Sequence, residues 1–294
     1  MKNNKYPNLY IIGAPKCGTT SLANWLNNHK ECFLPKTKEP HYFNDDDGHQ
    51  MTKSLKDYLL LYDAKEPIKI DASVWYLFSK VAVKNIETVT DKTAKYIVCI
   101  RNPIEMVEAL HAEQVLGGNE NITNFLDAWN AQEIRKKGKN IKKSTHAASH
   151  LQYGLACKLG EQIERLLEKV DLDRVHFILL DDMRDYPEEV FKDVCLFLNI
   201  KEERLESYSK YNQSKTLKSK FVHKILLFLI AIKRKVSWLP SLKILSKIKN
   251  MNIEKGKRVG LSDDIKREIL YPYFKEDIKK LENVLNKSLK QWGL

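Results

Sequence analysis

The 294-residue chain reads as an α/β protein: a P-loop-like three-layer fold whose central, mostly parallel sheet is flanked by helices. Three observations lead there. Short continuous apolar runs alternate with stretches of helical spacing, the pattern of strands buried on both faces. The first run feeds a glycine-spaced loop, "GAPKCGTTSL" (Gly13–Leu22), that opens a helix. The residues able to do chemistry fall just after the runs, where open parallel sheets place their ligands.

Asn8–Ile12 is the first expected strand, and Thr19–Asn28 follows with Leu22, Trp25 and Leu26 on one helical face. Ile68–Ala72 is the second, ahead of a helix-like stretch beginning near Val74. The third, Tyr96–Ile100, ends in "RNP" and leads into a helix over Ile104–Leu116, with Pro103 suited to its first turn. The fourth, Val175–Leu180, ends in Asp181–Asp182, and Tyr186–Leu198 is helical. Between the last two strands, Ile122–Lys136 and Gln152–Val170 read as helical insertions. No repeat or low-complexity linker interrupts the chain, so residues 1–294 form one domain, with a basic helical segment at 215–258 inside it.

With 43% hydrophobic and 10% aromatic residues the chain can bury a core. Its five scattered cysteines have no disulfide or metal-ligand spacing, which points to a reducing compartment. The N-terminus has no signal-peptide core, and no apolar run reaches the roughly 18 residues of a membrane span. The expectation is a cytoplasmic protein, with peripheral membrane contact left open. The net charge is +12, and Lys215–Arg258 holds thirteen basic residues against Glu254 alone, so that segment carries the whole excess. Such a field attracts polyanions or an anionic surface.

Gly13 and Gly18 keep the spacing of a nucleotide-hydrolysing P-loop, yet Thr19 stands where its lysine belongs. Lys16 lies inside the loop instead. With Thr19, Thr20 and Ser21 opening a helix, the loop is an anion site built from backbone N–H groups, hydroxyls and the positive helix end. The missing lysine argues against ATP with Mg²⁺, although Asp181–Asp182 could imitate a metal-holding aspartate.

At these residues the sequence resembles the sulfotransferases that use 3′-phosphoadenosine 5′-phosphosulfate (PAPS). "GAPKCGTTSL" is similar to their 5′-phosphosulfate loop, which implies cofactor contacts from Ala14, Pro15, Lys16, Cys17, Gly18, Thr19, Thr20 and Ser21. "KTKEPHYFN" (Lys36–Asn44), "DASVWYL" (Asp71–Leu77) and "IRNPIEMVEALH" (Ile100–His111) resemble later family segments in order. The last implies a 3′-phosphate site at Arg101, with Ala109 where the family has a serine. "LQYGLACKLGEQIERLL" resembles the family's tyrosine-bearing helix and brings in Tyr153; "VHFILLDDM" resembles its late strand. "EKGKR" (Glu254–Arg258) is similar to a C-terminal cofactor clamp and implies Lys255, Gly256 and Lys257. The resemblance implies transfer of a sulfuryl group to a hydroxyl or amine of an acceptor, with a carbohydrate or glycan the expected one, adenosine 3′,5′-bisphosphate as product and no metal.

PAPS has two anionic ends separated by a nucleoside, so Lys16 and Arg101 at neighbouring strand ends suit it. Lys16 would neutralise charge on the leaving oxygen. The acceptor's proton needs a base, and Glu39, Asp71 and His111 are the candidates. Glu39 leads by its place in the K-E-P segment, with Lys38 beside it. Asp71 could equally cap a helix, and His111 could be structural. Tyr42, Phe43, Trp75 and Tyr76 read as core rather than a sugar platform. The basic segment is a solvated helix pair, a trough for an acidic glycan, or an amphipathic anchor on an anionic membrane handling a lipid-linked saccharide. Nucleic acid is not an expected partner, since no recognition module is present. Two other classes stay open: a P-loop kinase or NTPase with a degenerate loop, and a non-catalytic polyanion- or membrane-binding relative.

Overall fold

The computed structural model describes residues 5–143, 145–209 and 260–293, the backbone of 215–217 and 253–255, and positions 219, 222, 225, 226, 229, 251 and 252. Five strands form the main sheet: β1 (Leu9–Gly13), β2 (Cys32–Phe33), β3 (Ile68–Asp71), β4 (Lys95–Ile100) and β5 (Val175–Leu179). Their order is β2-β3-β1-β4-β5, and every pairing is parallel. All five residues of β1 are buried, as are five of the six in β4, because helices cover both faces. Register sets Tyr10 opposite both Asp71 and Tyr96, whose ring stacks on Tyr10 at 5.9 Å between centroids.

The helices follow in chain order: α1 (Thr19–Asn27), α2 (Leu55–Leu60), α3 (Ala82–Val89), α4 (Pro103–Gly117), α5 (Phe125–Asn130), α6 (Gln132–Lys136), α7 (Tyr153–Cys157), α8 (Leu159–Leu167), α9 (Leu180–Asp185) and α10 (Pro187–Leu198). A π-helical turn at Ile265–Leu270 runs into α11 (Tyr271–Leu285). Asn102 caps α4, its side chain accepting from the N–H of Ile104 at 3.0 Å, and Pro103 takes the first turn. Among the described residues no helix is long and apolar enough to cross a membrane.

Four expectations are corrected. The stretch after Ala72 is a turn, not a helix, and α3 begins only at Ala82. Its backbone is spent on the sheet: Leu77 N–H donates to Ile12 O at 2.9 Å. Each helical insertion is a broken pair, α5 with α6 and α7 with α8; Lys158 leaves helical geometry between the latter two. The basic segment is not helical throughout: β6 (Lys215–Leu217) and β7 (Ile253–Lys255) pair antiparallel at its two ends. Most of the amphipathic stretch between them lies outside the described residues, so the anchor reading does too. Finally, α11 and β2 were not anticipated.

Candidate active site

β1, β3 and β4 end on one edge of the sheet and deliver Gly13, Asp71 and Arg101 there. From Gly13 the chain turns through Ala14, Pro15, Lys16 and Cys17 into α1. Lys16 sits at φ 67°, an uncommon conformation for a residue with a side chain. Gly18 is the N-cap at φ 90° and has no side chain with which to bond the first-turn N–H groups. The positive end of a nine-residue helix therefore faces the loop.

Side chains of the loop divide by depth. Ala14, Pro15, Cys17, Thr19 and Ser21 are buried, whereas Lys16, Gly18 and Thr20 are partly exposed. Of the three successive hydroxyl residues, Thr20 is the partly exposed one. Cys17 is a core thiol: burial pushes it up to about 12, and its Sγ contacts Met106 Sδ at 3.7 Å.

The two expected cation sites meet on this edge. Arg101 Nη1 donates to the carbonyl of Lys16 at 3.3 Å, and its Nη2 pairs with Glu105 Oε2 at 2.9 Å. Lys16 Nζ lies 3.4 Å from Glu113 Oε2. Both cations thus rest on carboxylates of α4, a helix whose acidic residues the sequence reading left aside. Ala109, on the same helix, is buried and supplies no hydroxyl.

Glu39 is tied to the loop through one residue. Lys38 Nζ donates to Thr20 Oγ1 at 3.0 Å and to Glu39 Oε1 at 2.6 Å. The other carboxylate oxygen, Oε2, lies 3.3 Å from His41 Nε2. Desolvation alone would raise the Glu39 carboxyl, but the His41 hydrogen bond and the charge and hydrogen bond of Lys38 outweigh it and bring it down to about 2.

Two candidate bases are corrected. Asp71 is fully buried and saturated with donors: Ser73 N–H (3.1 Å) and Ser73 Oγ (2.6 Å) on one oxygen, Tyr58 (2.8 Å) and Tyr76 (3.1 Å) hydroxyls on the other. Burial pushes its carboxyl above the usual value, against the hydrogen bonds of Ser73 and Tyr58. Ser73 Oγ in turn accepts from His41 N–H at 3.0 Å, and the Tyr76 hydroxyl accepts from Tyr42 and Phe43 N–H at 2.9 and 3.3 Å. Asp71 is therefore the anchor that holds the segment after Glu39, not a group open to an acceptor. His111 is buried, with Nε2 2.9 Å from the carbonyl of Ile122. Tyr153 is corrected likewise: its buried hydroxyl donates to Glu120 at 2.8 Å, and Glu120 pairs with the buried Arg135. Tyr76, Phe43 and Trp75 are core, Trp75 stacking on His150 at 3.5 Å.

Lys255 closes β7, and Gly256 and Lys257 lie outside the described residues. Sequence reasoning missed His41, Glu113 and the Ser73–Tyr76 hydroxyl pair. Only the adjacency of His41 to "KEP" could have marked the first. Among the described residues no group of three His, Cys, Asp or Glu is arranged to hold a metal ion.

Comparison with known proteins agrees on the fold. The sulfotransferase of Alicyclobacillus acidocaldarius superposes over 98% of both chains with a TM-score of 0.72 at 22% identity, a likeness of fold. Human carbohydrate sulfotransferase 15 is 40% identical over 65 residues, which are 19% of this chain and 12% of that protein. The bifunctional heparan sulfate N-deacetylase/N-sulfotransferase 1 of Caenorhabditis briggsae is 20% identical over 223 residues, 71% of this chain and 24% of that protein. The chain thus matches a quarter or less of the length of the last two, curated relatives. The sulfotransferase domain family matches residues 7–293, nearly the whole length, and this chain belongs to it.

Proposed function

We propose that the chain moves a sulfuryl group from PAPS to a hydroxyl or amine of a glycan, leaving adenosine 3′,5′-bisphosphate. The observation that carries the reading is the Lys38 bridge, which joins the Thr20 hydroxyl of the anion loop to the Glu39 carboxylate. It sets a base one ammonium away from the loop that would hold the donor.

The donor set fits PAPS: an uncapped helix start with Lys16 and Thr20 for the 5′ end, and Arg101 on the adjacent strand end for the 3′-phosphate. Lys255, Gly256 and Lys257 belong to the proposal as a further phosphate contact. When bound, PAPS supplies an activated sulfuryl group on a good leaving phosphate. In the transfer a bond from the acceptor atom to sulfur would replace the bond from sulfur to the bridging oxygen; Lys16 would neutralise the electron pair left on that oxygen, and Glu39 would take the acceptor's proton. Glu39, held ionised by His41 and Lys38, would accept that proton as bond formation makes the acceptor atom acidic.

A glycan acceptor is favoured by the two relatives named for carbohydrate and heparan sulfate sulfotransfer. The thirteen cations at 215–258 suit an acceptor already bearing carboxylates or sulfates, whether free or lipid-linked near an anionic surface. Isothermal titration tests the donor. Adenosine 3′,5′-bisphosphate should bind without Mg²⁺ at least tenfold more tightly than ADP, and Arg101→Ala should lose at least tenfold, the worth of one charge-assisted contact. Mg²⁺-dependent ADP binding, or an Arg101→Ala protein that binds as well as wild type, would return the degenerate-kinase reading. Transfer of radiolabelled sulfur from PAPS to glycans with free amines or hydroxyls then identifies the acceptor.

A further inference from the structure

Behind Glu39 lies a row of imidazoles that the reaction as described does not use. His41 is 1% exposed and stands at φ 45°, so its backbone is held in a conformation that residues with side chains rarely adopt. What holds it is visible: His41 N–H donates to Ser73 Oγ, which hangs on the buried Asp71, while the next two N–H groups donate to Tyr76. The ring lies against His49 at 4.5 Å between centroids and edge-on to Tyr76 at 6.0 Å. His49 meets His150 at 5.0 Å and His146 at 6.0 Å, and His150 Nε2 lies 3.2 Å from Asp47 Oδ2.

The chemistry of the two ring nitrogens decides what His41 does. Nε2 faces a carboxylate oxygen, which can only accept, so Nε2 carries the hydrogen. Nδ1 is buried with no hydrogen-bond partner among the described residues. A buried N–H with no acceptor is costly, whereas a bare ring lone pair costs less, so Nδ1 is unprotonated. Burial pushes the adjoining His49 ring down to about 4.

We propose that His41 is the positioning residue of the reaction: locked as the neutral Nε2–H tautomer, it donates to Glu39 Oε2 and holds the carboxylate ionised and aimed beside Lys38. Asp71, Ser73 and Tyr76 lock its backbone, and His49 packs its other edge. The inference rests on Glu39 as the base. The strained φ is then part of the function, since it is what turns the ring back onto the residue two places before it.

The test separates this role from the reaction itself. In intact wild-type protein, ¹⁵N NMR of His41 should show Nε2 protonated and Nδ1 bare at neutral pH. ¹³C titration of the Glu39 carboxyl, assigned by its loss in Glu39→Gln, should rise by about one pH unit in His41→Phe, which keeps an aromatic ring and removes the donor. His41→Gln, whose amide N–H can replace Nε2–H, should bring the midpoint back. With a transferred acceptor in hand, the acid limb of kcat/KM should move with that midpoint. The Nδ1–H tautomer in wild type, or a Glu39 midpoint unmoved in His41→Phe, would overturn the proposal, and the wild-type spectrum decides even if the variant fails to fold. A shifted midpoint without transfer from PAPS would uphold the positioning and instead refute sulfuryl transfer.

Discussion

Glu39 is the residue at which charge, geometry and pH meet. Its carboxyl is held down to about 2, against an ordinary value of 4.5, so the folded chain favours the ionised form. That stabilisation is fully present above about pH 4.5 and is lost as pH falls through the folded value. Glu39 is 35% exposed, so water screens the pair with Lys38, and the contribution is about 1 kcal/mol rather than the full shift. Glu39→Gln should therefore lower the unfolding free energy by about that amount at pH 6.5, with the difference shrinking steadily between pH 4.5 and 2. Urea denaturation across that range checks it; a difference that grows on acidification has the wrong sign. Asp71 shows the limit of reading one residue alone. A carboxylate at a strand end beside an anion loop is indistinguishable, in sequence, from a base. Its true role depends on Tyr58, thirteen residues earlier, and on Ser73 and Tyr76 after it, all of which converge on its two oxygens. Glu39 and Lys38 were legible because adjacency in the chain already makes their contact.

At the scale of elements, the loop and α1 work because Gly18 occupies a conformation closed to other residues. Its φ of 90° is one difficulty for a side chain; the other is space, since a Cβ there would stand 2.8 Å from Leu180 Cδ1 and 3.1 Å from Met183 Sδ. Gly18→Ala should cost about 2 kcal/mol, from the left-handed backbone and the displaced Leu180 together. It should also weaken bisphosphate binding at least tenfold, because the N-cap moves with it. Thermal unfolding and titration read the two effects; unchanged binding would mean that the start of α1 does not contact the ligand. The packing of Gly18 on α9 was beyond the sequence, which showed the loop but not what lies behind it. Four of the five strands were legible because burial on both faces leaves a continuous apolar run. β2 was not, for two residues have no periodicity. The insertions read as single helices because the breaks at Ala131 and Lys158 involve residues that favour helices, and tertiary packing overrides that preference.

Over the whole molecule, the C-terminal region closes back on the strands that carry the site. Asp277 in α11 accepts from Gly160 and Glu161 N–H at 2.9 Å each and so caps α8. Beyond α11, Lys287 pairs with Asp182 at 2.9 Å, and Trp292 Nε1 donates to Asp181 at 3.2 Å. Asn102, next to Arg101, reaches the Trp292 carbonyl at 3.5 Å. Lys287 and Trp292 thus stitch across the ends of β4 and β5. Charge was legible at this scale, because a net +12 confined to 215–258 needs only counting; the stitching was not, because it joins residues 116 or more apart at the α8–α11 contact. Gly160 is where it can be tested away from the site. An added Cβ would stand 2.5 Å from the backbone oxygen of Asp277, which cannot swing aside as a side chain would. Gly160→Ala must push α11 off α8, loosen the Asp277 cap and lower Tm by roughly 4 °C or more. If α11 holds the rim of the Arg101 site in place, bisphosphate affinity should fall with it, although Gly160 lies in α8 and not in the loop. A lower Tm with wild-type affinity would show that the C-terminal clasp stabilises the fold without shaping the phosphate site.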